Sequence, residues 1–281
     1  MCAPLIIDAV RQEISRRRFL GTVSGAVGAA MATAAPLGAQ QPVVAKPVRL
    51  PKGFRDVFDL THTYSSRLPV YPAFKPVQIR QKFFAAKDGF NANELTLDEH
   101  TGTHLDAPIH FVPNAITADR LPADRFVAPL VVISIAARAD RDADALLMPD
   151  DVMSWEKQHG RIPDGAFVAM HSGWDARIGD PKRFLNMDAR STMHAPGFSG
   201  AAATLLVQQR QIVGAGVDTL SLDAGAVPKP VAHLAFLGAG KYGVELLANL
   251  ATLPPAGATI IIGGPKHEHA TGGPCRVFAL V

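Results

Sequence analysis

Thirteen residues constrain this chain more than any others. They run Asp98-Glu99-His100-Thr101-Gly102-Thr103-His104-Leu105-Asp106-Ala107-Pro108-Ile109-His110 and hold three of the ten histidines together with three carboxylates. A Gly and a Pro between them forbid a long regular helix. Ionisable groups are not packed this densely into a protein without a large desolvation cost. A metal ion offsets that cost, because neutral imidazoles and ionised carboxylates are its natural ligands.

The spacing translates into geometry. Leu95-Thr96-Leu97 alternates apolar and polar, so a strand is expected to run toward His100. In extended backbone, residues two apart share a face, which groups His104 with Asp106. His100 is too far along a strand to share an ion with them unless the chain turns at Thr101-Gly102-Thr103, where Gly permits it. Pro108 is expected to hold the next segment extended, so that His110 approaches from another angle. The competing reading is a polar loop whose histidines cap backbone groups.

The string His100-Thr101-Gly102-Thr103-His104-Leu105-Asp106-Ala107-Pro108-Ile109-His110 resembles the H-x-G-T-H-x-D-x-P-x-H signature of the cyclase family. That family includes bacterial kynurenine formamidases and isatin hydrolases, metal-dependent enzymes that cleave amide C–N bonds. Val57-Phe58-Asp59-Leu60-Thr61-His62, the Tyr71-Pro72 turn, Ser172-Gly173-Trp174 and the closing Gly273-Pro274-Cys275-Arg276 resemble further family segments. So does Gly216-Val217-Asp218-Thr219-Leu220-Ser221-Leu222-Asp223. Downstream stand His233 and, twelve residues later, Glu245. A His and a Glu at this separation complete a second metal position in the formamidases. By itself His233 also reads as an ordinary satisfied histidine, and Glu245 as a solvated face. A carboxylate inside the apolar run Val244-Glu245-Leu246-Leu247 is nevertheless costly unless paired or ligating.

The resemblance thus implies a ligand set of His100, His104, Asp106, His233 and Glu245. Nitrogen and oxygen donors alone suit Zn2+ or Mn2+ and exclude iron–sulfur or soft copper sites. One ion and two remain open, with Asp106 as the bridge if there are two. His110 is expected to act as general base and then acid in hydrolysis of an amide or cyclic amide by metal-activated water. Tyr71, Phe84, Trp174 and Ser221 are candidate substrate contacts, and His171 departs from the basic residue common beside the T-G-W segment. The Lys266-His267-Glu268-His269 string looks metal-like but is expected on the surface or behind the ligands. Two rival readings stand: a non-haem Fe(II) oxygenase using His104, Asp106 and His233, and a non-catalytic periplasmic metal-binding protein.

Composition and punctuation supply the frame. Strands alternating with helices predict an α/β fold: one compact domain, a mixed β-sheet core flanked by helices, for which the resemblance implies a swivelling β/β/α arrangement. The clearest elements are strands over 130–135, 166–171 and 211–218, a helix from Pro149 to His159 stopped by Gly160, and a helix capped by Ser199. Residues 1–39 resemble a twin-arginine export leader, with Ser15-Arg16-Arg17-Arg18-Phe19-Leu20 ahead of an Ala/Gly-rich run and cleavage points at Ala34 or Ala39. A retained anchor is the competing reading, weakened because Gly and Ala insert poorly. Residues 40–51 read as a linker and 52–281 as the hydrolase domain. Discounting the four Arg and two acids of residues 1–39 leaves 24 basic against 23 acidic side chains, which gives no support to a nucleic-acid partner. Only Cys275 remains after the leader, so neither a disulfide within the chain nor a thiolate site is expected. The partners expected are a small amide substrate and, from the family resemblance, a homodimer or homotetramer, with no stable membrane anchor.

Overall fold

The computed structural model describes residues 53–281; the leader expected at 1–39 and the linker expected at 40–51 lie outside the described residues, as does Cys2. The chain begins with β1 (Val57–Asp59), β2 (Gln78–Phe83), α1 (Ala85–Asp88), β3 (Ala92–Thr96), β4 (His104–Asp106) and β5 (Val127–Ser134). Then come α2 (Ala136–Ala139), β6 (Leu146–Leu147), α3 (Pro149–His159), β7 (Phe167–His171), α4 (Pro181–Leu185) and β8 (Gly197–Phe198). The remainder is α5 (Gly200–Arg210), β9 (Gly214–Val217), α6 (Val231–Gly238), β10 (Tyr242–Glu245), β11 (Ala258–Gly263), β12 (Gly272–Pro274) and β13 (Arg276–Leu280).

Among the described residues, Ile79–Leu95 fall in one compact unit and the rest in another. In the first, strands β2 and β3 pair as a two-stranded sheet, with α1 between them. Arg80 and Lys82 both pair with Glu94, and the Phe83 and Phe90 rings lie 4.9 Å apart. Phe84 precedes α1 and is 48% exposed.

The larger unit is built on a nine-stranded sheet of order β1-β13-β11-β5-β7-β9-β10-β4-β12. The central strands β5, β7, β9 and β10 are parallel, and the wings on both sides are antiparallel. This is the mixed α/β sheet that the alternation of elements predicted. Strands β5 and β7 are buried on both faces: Leu130, Val132, Phe167 and Ala169 join one apolar cluster, Val131, Ile133, Val168 and Met170 the other. Such strands are continuous hydrophobic runs, which is why periodicity found them. The second cluster is closed by α3, α5 and α6 through Val152, Trp155, Leu206, Ala232 and Phe236. Helix α5 begins where expected, since the Ser199 hydroxyl accepts from the Ala202 amide at 3.0 Å.

Alternation along the edge strands fixes which face carries chemistry. Leu105 of β4 and Tyr242 and Val244 of β10 point into the first cluster. Their neighbours His104, Asp106, Gly243 and Glu245 therefore face the other way, the side on which α6 packs.

Candidate active site

Strands β4 and β10 pair in antiparallel register, Glu245 opposite His104 and Gly243 opposite Asp106. Cross-strand neighbours lie about 5 Å apart at Cβ, so the register alone brings the Glu245 carboxylate beside His104. Gly243 leaves the space beside Asp106 open; a Cβ there would sit 3.5 Å from the Asp106 carboxylate and 2.8 Å from Leu222. Helix α6 contributes His233. Its N-terminus is held by Asp223, whose carboxylate accepts the Ala232 amide at 2.6 Å and the His233 amide at 3.1 Å. The turn before β4 forms as expected: Gly102 has φ +66°, a conformation in which a Cβ would also strike the Tyr64 ring at 2.7 Å.

Five side chains converge as a result. His104 Nε2 lies 3.3 Å from Asp106 Oδ1 and 3.4 Å from Glu245 Oε2. His233 Nε2 lies 3.0 Å from Glu245 Oε1 and 3.5 Å from Asp106 Oδ2, and His100 Nδ1 is 2.6 Å from Asp106 Oδ1. Glu245 is only 5% exposed, which removes the solvated-face reading. The far sides of two imidazoles are committed elsewhere: His104 Nδ1 faces the Gly102 carbonyl at 2.7 Å, and His233 Nδ1 faces the Asp223 carboxylate at 2.6 Å. Each therefore donates outward and turns a lone pair on Nε2 toward the two carboxylates. Acceptors meet acceptors, and His104 Nε2 and Asp106 Oδ2 are buried without any hydrogen-bond partner.

That arrangement demands positive charge at its centre. Burial opposes protonation of His104, yet Asp106 and Glu245 outweigh it and push the imidazole up to about 10. Burial alone would raise Asp106, but the imidazoles, His104 foremost, hold it well below the usual carboxylate range. A proton is the poorer occupant of such a centre; His104, Asp106 and Glu245 place one nitrogen or oxygen each within 4.8 Å of one another, a spacing that suits a divalent ion. The donor set fits a hard-to-borderline cation.

His110 stands beside the cluster. Pro108–His110 form a single 3-10 turn rather than the extended segment expected, because the φ fixed by Pro suits a first helical position equally well. The turn stacks the His110 ring on that of His100 with centroids 3.7 Å apart and brings it within 6.2 Å of His233. Burial pushes this imidazole down to about 4, partly opposed by Asp106. It is a neutral base facing a cavity of about 670 Å³, whose walls include Tyr71, Phe74, Phe111, Met193, Leu220 and Leu246.

The tentative substrate contacts divide. Tyr71 lines the cavity, tilted against Phe74, and Ser221 lines it too, its hydroxyl accepting from the Asp223 amide at 3.2 Å. Trp174 does not: it is 1% exposed in a cluster with Phe184 and Met193, its indole N–H bonded to the Phe184 carbonyl at 2.8 Å. His171 instead meets Ser134 Oγ at 3.0 Å, so its departure from the family pattern does not touch the cavity wall. Phe84 belongs to the hairpin unit described above. Two contributors escaped the sequence reading. Phe111 packs its ring 4.5 Å from His233, and Asp223 both caps α6 and orients His233. The signal for Asp223 was a carboxylate ten residues ahead of His233, closing the Gly216–Asp223 segment.

The model of the Cyclase family matches residues 58–224. Isatin hydrolase of Roseibium aggregatum is 38% identical over 200 residues, 68% of this chain and 75% of that protein. The chain belongs to the cyclase family. Kynurenine formamidase of Bordetella avium is 30% identical over 95 residues, 34% of this chain and 43% of that protein. Among solved structures, isatin hydrolase A of Labrenzia aggregata, bound to benzyl benzoate, superposes with a TM-score of 0.75 at 38% identity, covering 80% of this chain and 93% of that one. The match to the cyclase-family model ends before His233 and Glu245, so their membership in the cluster rests on the β4–β10 register and on α6.

Proposed function

We propose that the cavity of this cyclase-family chain is where a non-peptide amide or cyclic amide is hydrolysed at its C–N bond. Family membership and the 38% identity to isatin hydrolase support a metal-dependent amide hydrolase. The observation that carries the finer reading is the meeting of imidazoles with two buried carboxylates in which His104 Nε2 and Asp106 Oδ2 are left without a hydrogen-bond partner. His100, His104, Asp106, His233 and Glu245 would hold one or two ions of Zn2+ or Mn2+. When bound, the ion supplies Lewis acidity and water activated near neutral pH. His110 takes the proton of the attacking water and returns it to the leaving nitrogen, a step suited to a neutral imidazole. Tyr71, Phe74 and Phe111 orient a flat apolar substrate and exclude water from the reacting carbonyl.

Glu245 lies between His104 and His233, and as a further protein donor it occupies a position that the two-His-one-carboxylate triad of an iron oxygenase leaves open. Among the described residues no helix is long and apolar enough to cross a membrane. The twin-arginine-type leader supports export to the periplasm, and the family resemblance supports a homodimer or homotetramer.

Metal-stripped and metal-restored protein, screened over isatins, formanilides, lactams and lactones, tests this reading. Hydrolysis is expected only after restoration. His110→Ala is expected to lose about 10²–10⁴ in kcat while keeping its metal. Hydrolysis that survives complete stripping, or a fully active His110→Ala, contradicts it. Iron- and oxoacid-dependent O₂ consumption would revive the oxygenase instead.

A further inference from the structure

We propose that Glu99 and Thr271 are positioning residues that hold the His100 imidazole with its Nε2–H outward and its Nδ1 turned toward Asp106 and any ion held there. The inference rests on the metal reading above and extends it to residues outside the ligand set.

Three hydrogen bonds in series carry the argument. Thr271 Oγ1 has one proton, and it lies in bonding contact with Glu99 Oε2, which also accepts the Thr271 amide at 3.2 Å. An ionised carboxylate has no proton to give, so the hydroxyl donates to Glu99. Its remaining contact, with His100 Nε2 at 2.9 Å, can then only be one in which it accepts. Nε2 therefore carries an imidazole proton, which leaves Nδ1, hydrogen-bonded to Asp106 Oδ1 at 2.6 Å, as the nitrogen able to offer its lone pair to an ion held there. This completes for His100 what the Gly102 carbonyl does for His104 and Asp223 does for His233: each ring is forced to donate away from the centre.

The fold builds the relay deliberately from distant segments. Glu99 directly precedes His100, whereas Thr271 directly precedes β12, whose Gly272 pairs with Asp106. The Thr271 carbonyl accepts the Ala107 amide at 2.9 Å, which pins its backbone beside the motif. Gly272 admits the ring, since a Cβ there would lie 2.6 Å from His100 Cε1. The other Glu99 oxygen meets His267 Nε2 at 2.6 Å. His267 is thus tied to the relay, whereas His269 lies exposed, 3.5 Å from Glu268.

The test measures Zn2+ dissociation constants of metal-stripped proteins by competition with a chromogenic chelator at one fixed pH. Thr271→Val and Glu99→Leu are expected to bind about 10- to 100-fold more weakly than wild type, with metal-free melting temperatures unchanged. Thr271→Ser, which keeps the hydroxyl, is expected to restore wild-type affinity, and the double variant to be no weaker than the weaker single one, since both act on the same proton. If Glu99→Leu fails to fold, the two Thr271 variants still decide. Variants that bind Zn2+ as wild type does, or a Thr271→Ser as weak as Thr271→Val, overturn the relay alone. A wild type that binds neither Zn2+ nor Mn2+ overturns the metal reading and the relay with it.

Discussion

Asp106 and Asp218 are the same residue at the same depth, both 0% exposed, and they are surrounded in opposite ways. Asp218 accepts from three consecutive amides, Ser172 at 3.0 Å, Gly173 at 2.7 Å and Trp174 at 3.2 Å, and from the Ser172 hydroxyl at 2.5 Å. Every lone pair that faces protein finds a proton. Asp106 meets three imidazoles and the Glu245 carboxylate but no backbone amide among the described residues, and its Oδ2 has no hydrogen-bond partner. A buried carboxylate encircled by amide donors organises backbone; one encircled by imidazoles and a second carboxylate calls for a cation. Burial alone does not distinguish the two, whereas the sign of the neighbours does.

Substitutions at the two sites sharpen this contrast. Asp106→Asn should abolish metal uptake and hydrolysis together, and with them the stabilisation that loading confers on wild type, about 4 kcal/mol at a thousandfold excess over Kd. Thermal melts with and without Zn2+ check it; a variant that still gains stability from Zn2+ breaks the comparison. Asp218→Ala should behave inversely. Orphaning four buried donors costs about 3 kcal/mol or more in denaturant unfolding, in metal-free and loaded protein alike, while the increment on loading survives.

Smaller effects probe the surroundings of each carboxylate. Asp223→Asn can place a donor where His233 Nδ1–H needs an acceptor, so metal affinity should fall about 10- to 100-fold, read by chelator competition. Trp174→Phe should cost about 1 kcal/mol from the lost indole bond to Phe184 and leave KM within about twofold, since the ring is core. A large rise in KM there would return Trp174 to the substrate's surroundings.

Much of this was legible in the residue order, and the reasons are local. The turn at Gly102, the shared face of His104 and Asp106, the helix ended by Gly160 and the cap at Ser199 each depend on neighbours a few positions away. What escaped depends on distant pairing. That Glu245 is buried follows from the register of β10 against β4, which Val244-Glu245-Leu246-Leu247 does not encode by itself. The double duty of Asp223 exists only once α6 is docked, and the inward turn of Trp174 only once Phe184 and Met193 close over it. Pro108 was misjudged for a different reason: its fixed φ is common to extended chain and to the first turn of a helix, and packing of that turn against α6 decides between them.

X-ray absorption at the metal edge of the loaded protein tests the central claim most directly. The account predicts a shell of nitrogen and oxygen alone at about 2.0–2.2 Å, with the outer-sphere scattering of at least two imidazoles that disappears with the metal in Asp106→Asn. A sulfur neighbour at about 2.3 Å, a shell without imidazole, or a protein that retains no Zn2+ or Mn2+ to measure would contradict it.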